Sequence, residues 1–192
     1  MKKILTLGFL IGFVFICSVS SFGAVFTFDP NPADIYDLDH YYAYTWGINW
    51  NSSDYPITSA YLTFTNIQNW TSDPNDILYM NLLDNADVGV HAIYEKNTAG
   101  NYFADKGGTL FDTWTDLDDN ATSENLTISL NDYISDLNTF ASDGLFGIGF
   151  DPDCHYWNDG VKLTINANVP EPTTVLLFGL GALGMAAYRR RR

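Results

Sequence analysis

Apolar and polar residues alternate with a period of two through most of this 192-residue chain, and that period leaves few architectures open. Between Ser59 and Thr65, Ala60, Leu62 and Phe64 point to one side of an extended strand, while Tyr61 and Thr63 point to the other. The same alternation sets Leu126, Ile128 and Leu130 against Thr127 and Ser129, and Val161, Leu163 and Ile165 against Lys162, Thr164 and Asn166. Six further stretches read as strands, at 25–28, 41–50, 77–83, 88–94, 109–114 and 145–150. Asp, Asn, Gly and Pro fill the gaps between them, as turn chemistry requires. Residues 131–143 break the pattern: Tyr133, Leu137, Phe140 and Ala141 share a helical face, and Gly144 suits a left-handed C-cap. Nine short strands and one short helix predict an all-β fold, an antiparallel β-sandwich that is jelly-roll-like, with the helix near 131–143.

The two ends obey different rules. Lys2 and Lys3 precede an apolar run from Ile4 to Val19, the layout of a secretory signal peptide, and the small residues at Ser21 and Gly23 suit cleavage after Gly23. At the other end, Val169, Pro170, Glu171 and Pro172 form a rigid extended element, because proline fixes φ and keeps its predecessor out of the helical region. Residues 173–188 are almost wholly apolar and would span about 24 Å as a helix, short of the ~30 Å hydrocarbon core. Snorkelling of the flanking arginines or local thinning of the bilayer would make up the difference. Arg189, Arg190, Arg191 and Arg192 would then remain on the cytoplasmic side.

In that order, Pro170-Glu171-Pro172, a short apolar helix and a terminal arginine cluster, the segment resembles the PEP-CTERM sorting signal of Gram-negative bacteria. The resemblance covers about residues 169–192 and implies recognition by an exosortase, a membrane-embedded cysteine transpeptidase, with removal of the tail near the motif. It also implies a precursor held in the inner membrane by a single span, and a mature protein at the cell surface or in an exopolysaccharide biofilm matrix. Pro170, Glu171 and Pro172 would be recognition residues in a substrate. The expected organisation is therefore a signal peptide at 1–23, a β-sandwich at 24–168 and a sorting signal at 169–192.

The body between the signals is extremely acidic. Without Lys2, Lys3, the four arginines and Glu171, 22 acids face Lys96, Lys106 and Lys162, a net charge of −19. Such a surface argues against nucleic acid as a partner and permits divalent cations or basic partners. Between two strands lie Asp151, Asp153, Asn158 and Asp159, closed by Gly160. Calcium favours several oxygen ligands from one loop, so Asp151, Asp153 and Asp159 are candidate Ca2+ ligands; solvated Asx-turns are the plainer alternative. Asp37, Asp39 and His40 echo Asp151, Asp153 and His155. If the strand from Tyr41 pairs antiparallel with the strand ending at Phe150, Asp39, His40, Asp153 and His155 meet at one end of the sandwich as a second metal candidate. Asp112, Asp116, Asp118, Asp119 and Glu124 read as a solvated loop with weak calcium potential. Cys154 is the only cysteine beyond the signal peptide and reads as buried; His91 reads as structural.

Trp46, Trp50, Trp70, Trp114 and Trp157 supply most of their area to the core, yet one or two left exposed would suffice to stack on a sugar ring. The chain carries no nucleotide-binding loop, HExxH motif or GxSxG elbow. The expectation is a non-enzymatic exported β-sandwich that binds carbohydrate or calcium. The alternative is an envelope hydrolase working with an Asp/Glu pair, which would need two convergent carboxylates in a concave pocket.

Overall fold

The computed structural model describes residues 21–51, 55–71, 73, 75–96, 99–116, 123–170, 181 and 188–190. Ten strands form two five-stranded antiparallel sheets. The first holds β1 (Ser21–Phe28), β10 (Gly160–Pro170), β3 (Ile57–Asn69) and β7 (Glu124–Ser129) in that order, with β9 (Tyr156–Trp157) paired to the end of β3. The second runs β5 (Gly89–Tyr94), β2 (Tyr42–Asn49), β8 (Leu145–Pro152), β4 (Leu78–Leu83) and β6 (Thr109–Trp114). With β5 and β9 set aside, the remaining eight strands have jelly-roll connectivity, β1-β10-β3-β7 over β2-β8-β4-β6. β5 extends the second sheet beside β2, and β9 is the one strand the alternation did not reveal, being only two residues long.

The inward residues are those the alternation selects. Ala60, Leu62 and Phe64 on β3 are buried, as are Val161, Leu163 and Ile165 on β10, and they meet Phe146, Ile148 and Phe150 from β8 in one core. Phe64 and Phe150 join the two sheets edge to face, with centroids 5.9 Å apart. The helical segment runs from Asn131 to Asp143, with α1 (Ile134–Phe140) at its centre, and buries Leu137 and Ala141. Gly144 ends it at φ 93°, and its amide returns to the Ala141 carbonyl. Trp50, which follows β2, is buried against Phe26 of β1, with centroids 4.9 Å apart and planes at 73°.

Residues Gly23–Asn168 form one compact unit. Residues 1–20 of the expected signal peptide, and residues 173–188 of the expected span apart from Gly181 and Tyr188, lie outside the described residues. Among the described residues, no helix is long and apolar enough to cross a membrane.

Candidate functional site

β9 and the end of β3 make a two-stranded ribbon in which Gln68 faces Trp157 and Asn69 faces Tyr156. The amide of Trp70 donates to the His155 carbonyl at 2.9 Å, so the pairing continues one residue past the strands. Period two then sorts the side chains. Asn69 and Tyr156 turn inward and are fully buried, while Trp70, His155 and Trp157 share the outer face. Trp70 lies 5.4 Å from Trp157 at 33°, and the His155 ring sits edge-on to both at 5.6 Å and 5.9 Å. Trp70 is 59% exposed and Trp157 is 40% exposed. Asp76 steadies the turn beneath them, accepting from Asn69 Nδ2 at 2.9 Å and from Thr71 Oγ1 at 3.1 Å.

His155 belongs to a second group. β2 and β8 pair antiparallel with Tyr44 opposite Phe150, so the segment before β2 and the segment after β8 leave the sheet at the same end. One ligand atom each from Asp39, His40 and His155 lies within 4.8 Å of the others. Asp39 Oδ1 is 3.6 Å from His40 Nδ1 and also accepts from the Tyr41 amide at 3.0 Å. The preceding residues Ile35–Leu38 adopt positive φ, between 45° and 57°, a left-handed turn made of non-glycine residues. Such a conformation costs about 1–2 kcal/mol per residue. Full burial of Ile35 and Leu38 offsets much of that cost, at about 1.5–3 kcal/mol each. The Asp34 carboxylate also accepts from the Tyr36 amide at 3.1 Å. Asp39 is then held from inside by the Tyr44 hydroxyl, which accepts from its amide at 2.9 Å. Burial raises the pKa of that phenol, so the hydroxyl stays protonated.

The structure does not bring Asp151, Asp153 and Asp159 together, nor does it add Asp153 to the histidine group. Asp159 is turned to the other sheet, where it accepts from Asn66 Nδ2 and lines a shallow depression with Asp29 and Lys162. Asp151 is buried at the end of β8, where it accepts from the Tyr102 amide and hydrogen-bonds the Glu95 carboxyl. Asp153 is half-buried, faces the Gly100 amide and titrates above the ordinary carboxylate range, chiefly through burial. The three stand apart because alternation along β8 sends Phe150 into the core and Asp151 to the opposite face, under Tyr102 and Glu95, while Asp159 already belongs to the turn into β10. Glu95, which the sequence did not single out, is pushed up to about 8 by burial and by its hydrogen bond to Asp151. Both carboxyls of the pair are pushed towards the protonated form by burial, and their hydrogen bond ties the segment after β5 to β8.

The end of the chain meets a known pattern. β10 runs to Pro170, the first residue of Pro170-Glu171-Pro172. Residues 168–192 match the PEP-CTERM protein-sorting motif. None of the curated proteins matches the chain. The PEP-CTERM motif implies a protein sorted by an exosortase, exported or carried to the cell surface. Glu171, Pro172, Arg191 and Arg192 of the PEP-CTERM segment lie outside the described residues, whereas Arg189 and Arg190 are exposed.

The other residues singled out by the sequence lie elsewhere in the body. Trp46 and Trp50 are buried, and Trp114 donates from Nε1 to Glu124 at 2.8 Å. Asp116 is buried and accepts from the Asn69 amide, and Asp112 caps the Thr113 amide at 2.8 Å; Asp118 and Asp119 lie outside the described residues. Cys154 is half-buried against the core, and its Sγ lies 3.8 Å from Thr71 Oγ1. His91 contacts the Val88 carbonyl at 3.2 Å.

Proposed function

We propose that the mature protein is a non-catalytic carbohydrate binder of the cell surface or extracellular matrix, with Trp70 and Trp157 as its sugar platform. One observation carries the reading: two indoles 5.4 Å apart, 59% and 40% exposed, reach solvent although the same domain buries Trp46 and Trp50 in its core. Contiguous exposed apolar surface is unfavourable in water and marks interaction sites. Flat aromatic faces offer large contact area with little entropy to lose, which suits the apolar faces of pyranose rings. The −19 body repels polyanions at modest ionic strength, so the ligand is a neutral polysaccharide rather than an acidic one.

The Glu95–Asp151 pair is poorly suited to glycoside hydrolysis. Glu95 and Asp151 are buried and hydrogen-bonded to one another, whereas hydrolytic pairs stand about 5 Å or more apart with substrate between them. The precursor is held in the inner membrane by its C-terminal segment until the exosortase acts near Pro170-Glu171-Pro172.

Tryptophan emission of the full chain in detergent, titrated with neutral and acidic oligosaccharides, tests the reading. Saturable shifts with a neutral sugar, lost in Trp70→Ala and in Trp157→Ala, are expected. Binding that survives both substitutions, or that occurs only with acidic sugars, overturns it.

A further inference from the structure

We propose that Asp39, His40 and His155 form a site for a borderline divalent transition metal of the zinc class, built where β2 begins and where β8 turns into β9. The spacing comes first. Zinc binds imidazole nitrogen at about 2.0–2.1 Å and carboxylate oxygen at about 2.0–2.2 Å, so neighbouring tetrahedral ligands stand about 3.4 Å apart. Asp39 Oδ1 and His40 Nδ1 stand 3.6 Å apart, too long for a hydrogen bond and close to that edge length. His155 completes a triangle with no side above 4.8 Å, which a side-chain rotation of about 1 Å closes around an ion.

The donor set comes second. Two imidazoles and one carboxylate suit zinc, nickel or copper, and they disfavour calcium and magnesium, which take oxygen ligands. Three protein ligands leave a fourth position for water. The support behind the ligands comes third. The Tyr41 amide binds Asp39 Oδ1, and the Tyr44 hydroxyl holds the Asp39 backbone. His155 is carried by the β9 ribbon, whose backbone is fixed to Trp70. Ligands oriented in this way bind metals more tightly than free side chains do. The side chains of Asp39 and His40 are 35% and 29% exposed, so an ion can reach them from solvent.

His155 touches both indoles of the exposed pair, which gives the site its own reporter independent of any sugar. The chain has three histidines, and the third, His91, lies on β5 outside the group and serves as a control. The experiment uses the untagged full chain in detergent, titrated with Ni2+ while tryptophan emission is read. Partial, saturable quenching is expected, reversed by Zn2+ and untouched by millimolar Ca2+. His40→Ala and His155→Ala should each weaken it by about tenfold or more, and His91→Ala should leave it unchanged. Should His155→Ala lose the near-UV circular dichroism of the folded protein, His40→Ala carries the test alone. Quenching that fails to saturate, that Ca2+ displaces as well as Zn2+ does, or that His40→Ala leaves intact would overturn the site.

Discussion

The Tyr44 hydroxyl, buried between the sheets, accepts a hydrogen bond from the Asp39 amide at 2.9 Å and so ties the rim of the fold to its core. The strained left-handed turn Ile35–Leu38 hands the chain to Asp39 at that point, and His40 follows. Tyr44→Phe keeps the ring packing but leaves the amide without its acceptor. It should cost about 1–2 kcal/mol in urea unfolding, and it should weaken Ni2+ binding about tenfold through the loosened Asp39.

Trp50 and Trp70 separate packing from recognition. Trp50 is 2% exposed and wedged against Phe26, so Trp50→Ala should destabilise the body by about 3–5 kcal/mol. Trp70→Ala removes a mostly exposed ring and should change stability by about 0.5 kcal/mol or less, while abolishing the sugar-dependent emission shift. Paired thermal melts and sugar titrations of the two variants check the contrast.

The carboxyl pair Glu95–Asp151 makes stability depend on pH in an unusual sense for acidic groups. Folding raises Glu95 from 4.5 to about 8, so across that interval the native chain holds more protons than the unfolded one. Stability from this group is therefore fully present below about 4.5 and is lost as pH rises towards about 8. Burial raises Asp151 and Asp153 as well, which gives their contributions the same sign. Glu95→Gln still donates to Asp151 and should flatten the slope between pH 5 and 8, a change that urea midpoints at three pH values would register.

Gly47 is a position where the loop between β4 and β5 passes against β2 and leaves no room. A Cβ there would stand 2.0 Å from the Asp87 carbonyl oxygen, a backbone atom that cannot swing away. Gly47→Ala should cost about 1–3 kcal/mol and separate β5 from β2, read as faster amide exchange in Val90 and Ala92.

How much of this was legible beforehand depends on the range of the forces involved. Alternation found nine of the ten strands and the inward residues of β3, β7 and β10, because a strand's two faces are set by backbone geometry alone. The assumed pairing of the strands from Tyr41 and to Phe150 is present, and it brings Asp39 and His40 to His155. Asp153 was expected in that group and is not there, because its side chain turns to Gly100 on a loop that sequence patterning cannot place. Glu95 escaped notice for the same reason: nothing local distinguishes it from the other acids, and only the packing of the segment after β5 against β8 buries it.

By itself, then, the sequence determined what local chemistry controls: the strands and their faces, the helix and its glycine cap, the acidity of the body and the sorting motif at 168–192. Tertiary structure decided which tryptophans reach water, which aspartates lose it and which histidines meet. Those outcomes depend on contacts between residues as far apart as Asp39 and His155, and a pattern with a period of two carries no record of which distant strand lies alongside.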